Sequence, residues 1–209
     1  MSDEPVLVSI VCPFFNESDN VQAFYRQIAA ELEKLTDYRF EIICVDDGSR
    51  DDTLNELLAV ADADTRFKIL ELSRNFGKEA ALSAGLEATR GDLIITIDAD
   101  LQDPISLVGR LLQSWEDSEV DVVLAKRAHR RHDTLAKRAS ARAYYKLHNY
   151  LSPLKIPVDV GDCRLMTRQV VQALLLLPET QRFMKGLFAW VGFRTSTIEY
   201  GREPRLHGK

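Results

Sequence analysis

Hydrophobic positions along the chain switch period repeatedly. Val6 to Val11 is a continuous apolar run closed by Pro13. After Asn16-Glu17-Ser18, apolar residues recur at Val21, Phe24, Ile28, Leu32 and Leu35, the spacing of a helix with Ser18 as candidate N-cap. Phe40–Val45 reads as a second strand, Thr53–Ala61 as a helix, and Phe67–Leu72 as a third strand. Lys78–Ala88 reads as a helix, and Gly91 opens a fourth strand that delivers Asp98. A helix after Pro104 turns Leu107, Leu111 and Trp115 inward, and Asp121–Ala125 is a fifth strand. From about Thr134 a helical stripe carries Leu135, Ala139, Ala143, Leu147 and Tyr150, followed by a proline-punctuated loop over Ser152–Pro157. Val158–Met166 reads as a short strand kinked at Gly161, Arg168–Leu177 and Arg182–Val191 as helices, and Ser196–Tyr200 as a last strand. Near-continuous apolar strands alternating with helices predict an α/β fold with a mostly parallel sheet covered on both faces.

The first four strands all end in polar clusters: Asn16/Glu17, Asp46/Asp47, Arg74/Asn75 and Asp98/Asp100. In a parallel sheet these ends share one edge, the edge at which ligands bind in open α/β folds. The fourth run, Leu93-Ile94-Ile95-Thr96-Ile97, stops at Asp98-Ala99-Asp100-Leu101-Gln102-Asp103-Pro104. Carboxylates at i and i+2 of an extended segment point to one side, so Asp98 and Asp100 can converge. Two converging oxygen donors suit Mg²⁺ or Mn²⁺, and such a cation suits a diphosphate. The plainer reading is a polar loop that happens to hold two Asp. Neither GxGxxG nor GxxxxGK[ST] occurs, which removes the main support for a Rossmann or P-loop site.

Composition narrows the classes. The chain has 209 residues, 45% hydrophobic and 28% charged, enough for one domain with a sizeable core. A net charge of −5 argues against general nucleic-acid binding. Segment 126–146 nevertheless carries Lys126, Arg127, Arg130, Arg131, Lys137, Arg138, Arg142 and Lys146 against Asp133 alone. It is either a solvated helix face or a contact for phosphate or an anionic membrane. Cys12, Cys44 and Cys163 form no CxxC pair and read as buried reduced thiols of a cytoplasmic protein. The N-terminus lacks a signal peptide's apolar core, and no apolar run reaches the roughly 18 residues of a membrane span.

The ordered motifs Pro13-Phe14-Phe15-Asn16-Glu17, Val45-Asp46-Asp47-Gly48-Ser49-Arg50-Asp51-Asp52-Thr53, Arg74-Asn75-Phe76-Gly77-Lys78, Asp98–Pro104 and Gly161-Asp162-Cys163-Arg164-Leu165-Met166 resemble glycosyltransferase family 2. Within it they are most similar to the polyprenyl-phosphate (dolichol-phosphate-mannose-synthase-like) sugar transferases. The resemblance implies a single GT-A domain over 1–209. About 1–125 would bind the nucleotide sugar and about 126–209 the acceptor. It implies a UDP- or GDP-sugar donor, Mg²⁺ or Mn²⁺, and a polyprenyl-phosphate acceptor at the cytoplasmic face of the membrane, which the basic segment 126–146 would contact. Members of this kind continue into membrane-spanning helices that the 209 residues do not include. Homo-oligomerisation stays open.

Carried over by position, Pro13, Asn16 and Glu17 would lie along the nucleoside, and Asp46 would face the base or ribose with Asp47 beside it. Asp98 would approach ribose and metal, Asp100 would ligate the metal, and Gln102 would sit near the diphosphate. Arg127, Arg138 and Ser140 match anion contacts to the acceptor phosphate or the leaving diphosphate. Asp162 matches the position usually proposed as catalytic base. A phosphate acceptor is already largely dianionic at neutral pH, since its second pKa is near 6, so Asp162 could instead position groups. Asp47, Asp51 and Asp52 read equally as turn or cap residues, and Asp103 as a helix-capping loop residue. Lys78 and Glu79 read as a solvated first helical turn, and the four histidines show no metal-ligand spacing. The alternatives are transfer to a polysaccharide or protein hydroxyl, a phosphatase with an Asp nucleophile, and a non-catalytic nucleotide-sugar binder.

Overall fold

The structure, a computed structural model, describes residues 5–127, 160–177 and 191–201. Its elements are β1 (Val6–Phe14), α1 (Ser18–Leu32), β2 (Tyr38–Asp46), α2 (Thr53–Ala63), β3 (Phe67–Glu71), α3 (Lys78–Ala88), β4 (Leu93–Thr96), α4 (Leu107–Glu116), β5 (Val122–Arg127), β6 (Val160–Thr167), α5 (Arg168–Leu175) and β7 (Thr195–Tyr200). The helix beginning at Thr134, the Ser152–Pro157 loop and nearly all of the Arg182–Val191 helix lie outside the described residues.

The strands form one sheet in the order β3-β2-β1-β4-β6-β5-β7. β1, β2, β3 and β4 are mutually parallel. From β1 the chain winds outward through β2 to β3, then returns to place β4 on the other side of β1. That reversal between β1 and β4 is the switch point where such sheets bind ligands.

The period-two rule sorts the core. Val8, Ile10, Cys12 and Phe14 of β1 face α1, α2 and α4, through Phe24, Ile28, Leu57, Leu107 and Leu111. Val11 faces α3 and α5, through Ala81, Leu82, Val170 and Leu174. Helix α3 lies unusually close to the sheet at Gly85. A Cβ there would stand 2.4 Å from Val11 Cγ1, so only hydrogen fits. This close approach fixes the helix that begins with Lys78 against β1.

Two local expectations change. The strand does not stop at Pro13 but runs to Phe14, with Pro13 opposite Val45 of β2. The Val11 carbonyl points toward β4, accepting from the Ile97 amide at 3.0 Å, and alternation turns Pro13 the same way. The β1–β4 ladder ends at the Val11/Thr96 pair, so no strand partner remains there for the amide that proline lacks. Ser18 is the first residue of α1 rather than its N-cap; Glu17 holds that position without a side-chain capping bond. The free amides turn to the neighbouring loop instead: Glu17 N–H donates to Thr53 Oγ1 at 2.9 Å and Ser18 N–H to Asp51 Oδ2 at 3.3 Å.

The strand after Gly161 also has a direction the pattern did not reveal. β6 is antiparallel to both β4 and β5. β5 ends at Arg127, and Lys126 stands opposite Val160, the first residue of β6. The beginning of β6 therefore lies at the edge where the parallel strands end, and Asp162 is delivered there.

Candidate active site

A cavity of about 250 Å³ opens at this edge, over the β1–β4 switch point. The β1 end contributes Pro13, Phe15 and Glu17, and the turn after β4 contributes Asp98 and Asp100. Asp47, Asn75 and Lys78 complete the wall from the β2 and β3 ends and the start of α3. Ala99 is buried between the two carboxylates. Leu101 adopts φ +55°, a left-handed conformation uncommon for a bulky residue, which lets its side chain enter the core. The Gln102 amide then donates to Asp100 Oδ1 at 3.1 Å. This turn holds Asp100 at the cavity while burying its neighbours.

Lys78 joins the two halves of the site. Its Nζ lies 2.6 Å from Asp98 Oδ1 and 2.5 Å from Asp162 Oδ2. Asp162 is fixed from behind, because Thr96 Oγ1 donates to its backbone carbonyl at 2.6 Å. Burial works against the Lys78 charge, but Asp98 and Asp162 outweigh it and hold the ammonium above its ordinary range. Burial pushes the Asp98 carboxyl up, with Asp162 and Asp100 adding to the effect and Lys78 opposing it. Lys78 was expected in a solvated helical turn; it is instead the hub of the site. The sequence signal was Gly77-Lys78 opening a helix directly after a polar strand end on the same edge.

The Asp46-Asp47-Gly48-Ser49 turn organises the neighbouring wall. Asp47 is buried, with Oδ1 accepting from Phe76 N–H at 2.8 Å and Oδ2 from Gly77 N–H at 2.9 Å. Its observed work is to anchor the loop leading into Lys78. Gly48 takes φ +67°, and a Cβ there would fall 2.4 Å from the Arg74 carbonyl carbon. Asp46 is also buried; its Oδ2 accepts from Ser49 N–H at 3.1 Å, while Oδ1 has no hydrogen-bond partner among the described residues. A buried carboxylate oxygen without a partner is an open acceptor, although Asp46, unlike Asp47, is not among the residues lining the cavity. Asn16, at φ +52°, accepts from Arg50 N–H through Oδ1 at 2.8 Å and donates its own amide to Ser49 Oγ at 2.9 Å. It ties the two loops together.

Asp103 does not cap a helix. It is buried, and Tyr200 of β7 donates its hydroxyl to Asp103 Oδ1 at 2.6 Å; Ser106 takes the N-cap position of α4. Gln102 follows the Asp100 turn, and its side chain is not among those lining the cavity. Arg127 ends β5, with only its backbone described, and Arg138 and Ser140 lie outside the described residues.

Among the described residues, no trio of His, Cys, Asp and Glu is grouped as a closed metal cage. The donor set still fits Mg²⁺ or Mn²⁺ bound with a diphosphate. Such ions commonly take one or two carboxylates and complete their shell with substrate phosphates and water. Asp98 and Asp100 supply that number of carboxylates at one cavity.

The sheet order and the edge cavity define a GT-A-like α/β architecture, and the sequence comparison gives the family. Residues 9–175 match Glycosyl transferase family 2, and the chain belongs to that family. It is 47% identical over 201 residues to a bactoprenol glucosyl transferase of Shigella phage SfX, covering 96% of this chain and 65% of the relative. The chain spans less than two thirds of the length of the curated relatives it matches first. Two solved structures share the GT-A-like fold. One is a mannosyltransferase from Pyrobaculum calidifontis in complex with GDP-Man and Mn²⁺, with a TM-score of 0.66 and 19% identity over 94% of this chain and 56% of that one. The other is glucosyl-3-phosphoglycerate synthase from Mycobacterium tuberculosis with Mn²⁺, UDP and glucosyl-3-phosphoglycerate, with a TM-score of 0.60 and 24% identity over 97% and 73%. No helix among the described residues is long and apolar enough to cross a membrane.

Proposed function

We propose that this chain is the catalytic domain of a metal-dependent, inverting glycosyltransferase. It would move a sugar from a UDP- or GDP-sugar to a polyprenyl phosphate at the cytoplasmic face of a membrane. The observation that carries the reading is Asp98 and Asp100 on the switch-point cavity, with Asp162 brought opposite Asp98 through Lys78. The similarity to a bactoprenol glucosyl transferase supports the acceptor class.

Asp46, next to the cavity-lining Asp47, would accept from the nucleoside through its open oxygen, and Pro13 and Glu17 of the cavity wall would lie along the same ligand. Asp98 and Asp100 would hold the Mg²⁺ or Mn²⁺, which when bound supplies positive charge to the departing diphosphate. An acceptor phosphate oxygen attacks the anomeric carbon from the face opposite the leaving group. A carbon–oxygen bond forms, and the bond to the β-phosphate oxygen breaks. The nucleoside diphosphate leaves with the electron pair, and a dianionic acceptor has no proton to surrender. Asp162, held by Lys78 and by Thr96, is suited to orienting the acceptor side of the site. Arg127, Arg138 and Ser140 are assigned to the acceptor phosphate or the leaving diphosphate, and segment 126–146 to an anionic membrane surface.

The test is incubation with UDP- and GDP-sugars, a short-chain polyprenyl phosphate and Mn²⁺ or Mg²⁺, followed by mass detection of the glycosylated lipid phosphate. Transfer that requires the cation and is lost in Asp100→Asn is expected. Absence of transfer and of donor hydrolysis, with no nucleotide-dependent thermal shift, refutes the proposal.

A further inference from the structure

Lys78 occupies a position that conflicts with a cation held by Asp98. Its ammonium already sits 2.6 Å from Asp98 Oδ1, and a divalent ion drawn to the same carboxylate meets a like charge. The remaining structure does not force Lys78 to stay there. Its side chain is 44% exposed, so it can turn away from Asp98 without opening the core. Its backbone cannot move as freely. Helix α3 is seated on β1 at Gly85, and the Asp47 carboxylate holds the Phe76 and Gly77 amides just before it. An ammonium on a flexible stem, rooted at a fixed point on the cavity wall, can exchange one anionic partner for another within reach.

We propose that Lys78 makes metal binding conditional on the nucleotide diphosphate. Its ammonium neutralises Asp98 as seen in the structure, then transfers to a diphosphate oxygen when donor and cation enter together, freeing Asp98 for the cation. The inference rests on the functional reading above and deepens it. It assigns to Lys78 the coupling between the two ligands. Coupling of this kind is reciprocal: the factor by which nucleotide tightens the cation equals the factor by which the cation tightens nucleotide.

The experiment measures free Mn²⁺ by electron paramagnetic resonance during titration of the purified chain, alone and with saturating UDP or GDP. Wild type should bind Mn²⁺ weakly alone and about tenfold or more tightly with one of the nucleotides, the scale of one charge-assisted contact. Lys78→Met should bind Mn²⁺ alone about tenfold more tightly than wild type, bind nucleotide more weakly, and show a correspondingly smaller coupling factor. Lys78→Arg, which keeps the charge, should retain coupling of the wild-type sign. A Lys78→Met variant with unchanged coupling overturns the inference and leaves the proposed function standing. Should that variant fail to fold, wild type still decides: Mn²⁺ bound equally well with and without nucleotide overturns the inference. A wild-type chain that binds neither UDP nor GDP in the presence of Mn²⁺ overturns the functional reading and the inference together.

Discussion

Gly48→Ala probes how the cavity wall is held in shape. At φ +67° an L-residue incurs a left-handed backbone penalty of about 1–2 kcal/mol. The new methyl would also meet the Arg74 carbonyl carbon at 2.4 Å, the Arg74 Cα at 2.6 Å and the Asn75 nitrogen at 2.7 Å. All three are backbone atoms, so no side-chain rotation relieves the clash. Overpacking of this kind costs about 1–3 kcal/mol, which puts the combined destabilisation at about 2–5 kcal/mol. With a urea slope of about 1–3 kcal/mol per molar, the unfolding midpoint should fall by about 0.7 M or more. The displaced segment, Arg74 to Gly77, leads straight into Lys78. Metal-dependent nucleotide binding should therefore weaken in urea-free buffer while the protein is still folded. Paired urea denaturation and nucleotide titration test both parts. A midpoint shift below about 0.3 M, with nucleotide affinity unchanged, would show that the turn tolerates a side chain and that the contact argument is wrong.

Two other perturbations follow from the same geometry. Asp162→Asn should lower turnover with a phosphate acceptor only modestly; a loss above roughly 10⁴-fold in single-turnover kinetics would instead mark Asp162 as a general base. The second concerns acid stability at the opposite sheet edge, where buried Glu41 accepts from Ser9 Oγ at 2.6 Å and Arg90 N–H at 2.7 Å and pairs with Lys68. Burial alone would raise its pKa, but Lys68, the Ser9 hydroxyl and the Arg90 amide together hold it below the ordinary 4.5. A depressed folded pKa contributes stability that is complete above the unfolded value and disappears as pH falls through the folded one. The stability gap between wild type and Glu41→Gln should therefore be constant near neutrality and close below about pH 4.5, as read by urea midpoints from pH 3 to 7. A gap independent of pH refutes the assignment.

The polar strand ends that line the cavity were legible because their signals are local. The apolar run Leu93 to Ile97 halts at Asp98, which marks the polar strand end; the strand itself stops at Thr96, so it is the following turn, not the extended i and i+2 alternation, that brings Asp98 and Asp100 to one cavity. Lys78 was not legible in that way. Its partners lie in two other elements, and nothing in the helical period of α3 distinguishes an ammonium in water from one between two carboxylates. The same holds for Asp103, whose hydrogen-bond partner Tyr200 is supplied by the last strand. Asp47, whose sequence context fits a turn residue equally well, spends both carboxylate oxygens on the Phe76 and Gly77 amides while lining the cavity. The direction of β6 depends on where the chain re-enters the sheet, which no hydrophobic period encodes.

The re-entry point itself has a use. Lys126 and Val160 stand side by side in neighbouring strands, so the stretch between them departs and returns through two adjacent doorposts of one rigid frame. Exchanging 128–159 for the corresponding stretch of another family member would leave the pairings among β1, β2, β3 and β4 intact. Only two residues beyond the second junction stands Asp162. If that stretch carries the acceptor contacts proposed above, its replacement alone changes acceptor preference while β1 to β4 and the cavity at their ends stay as they are.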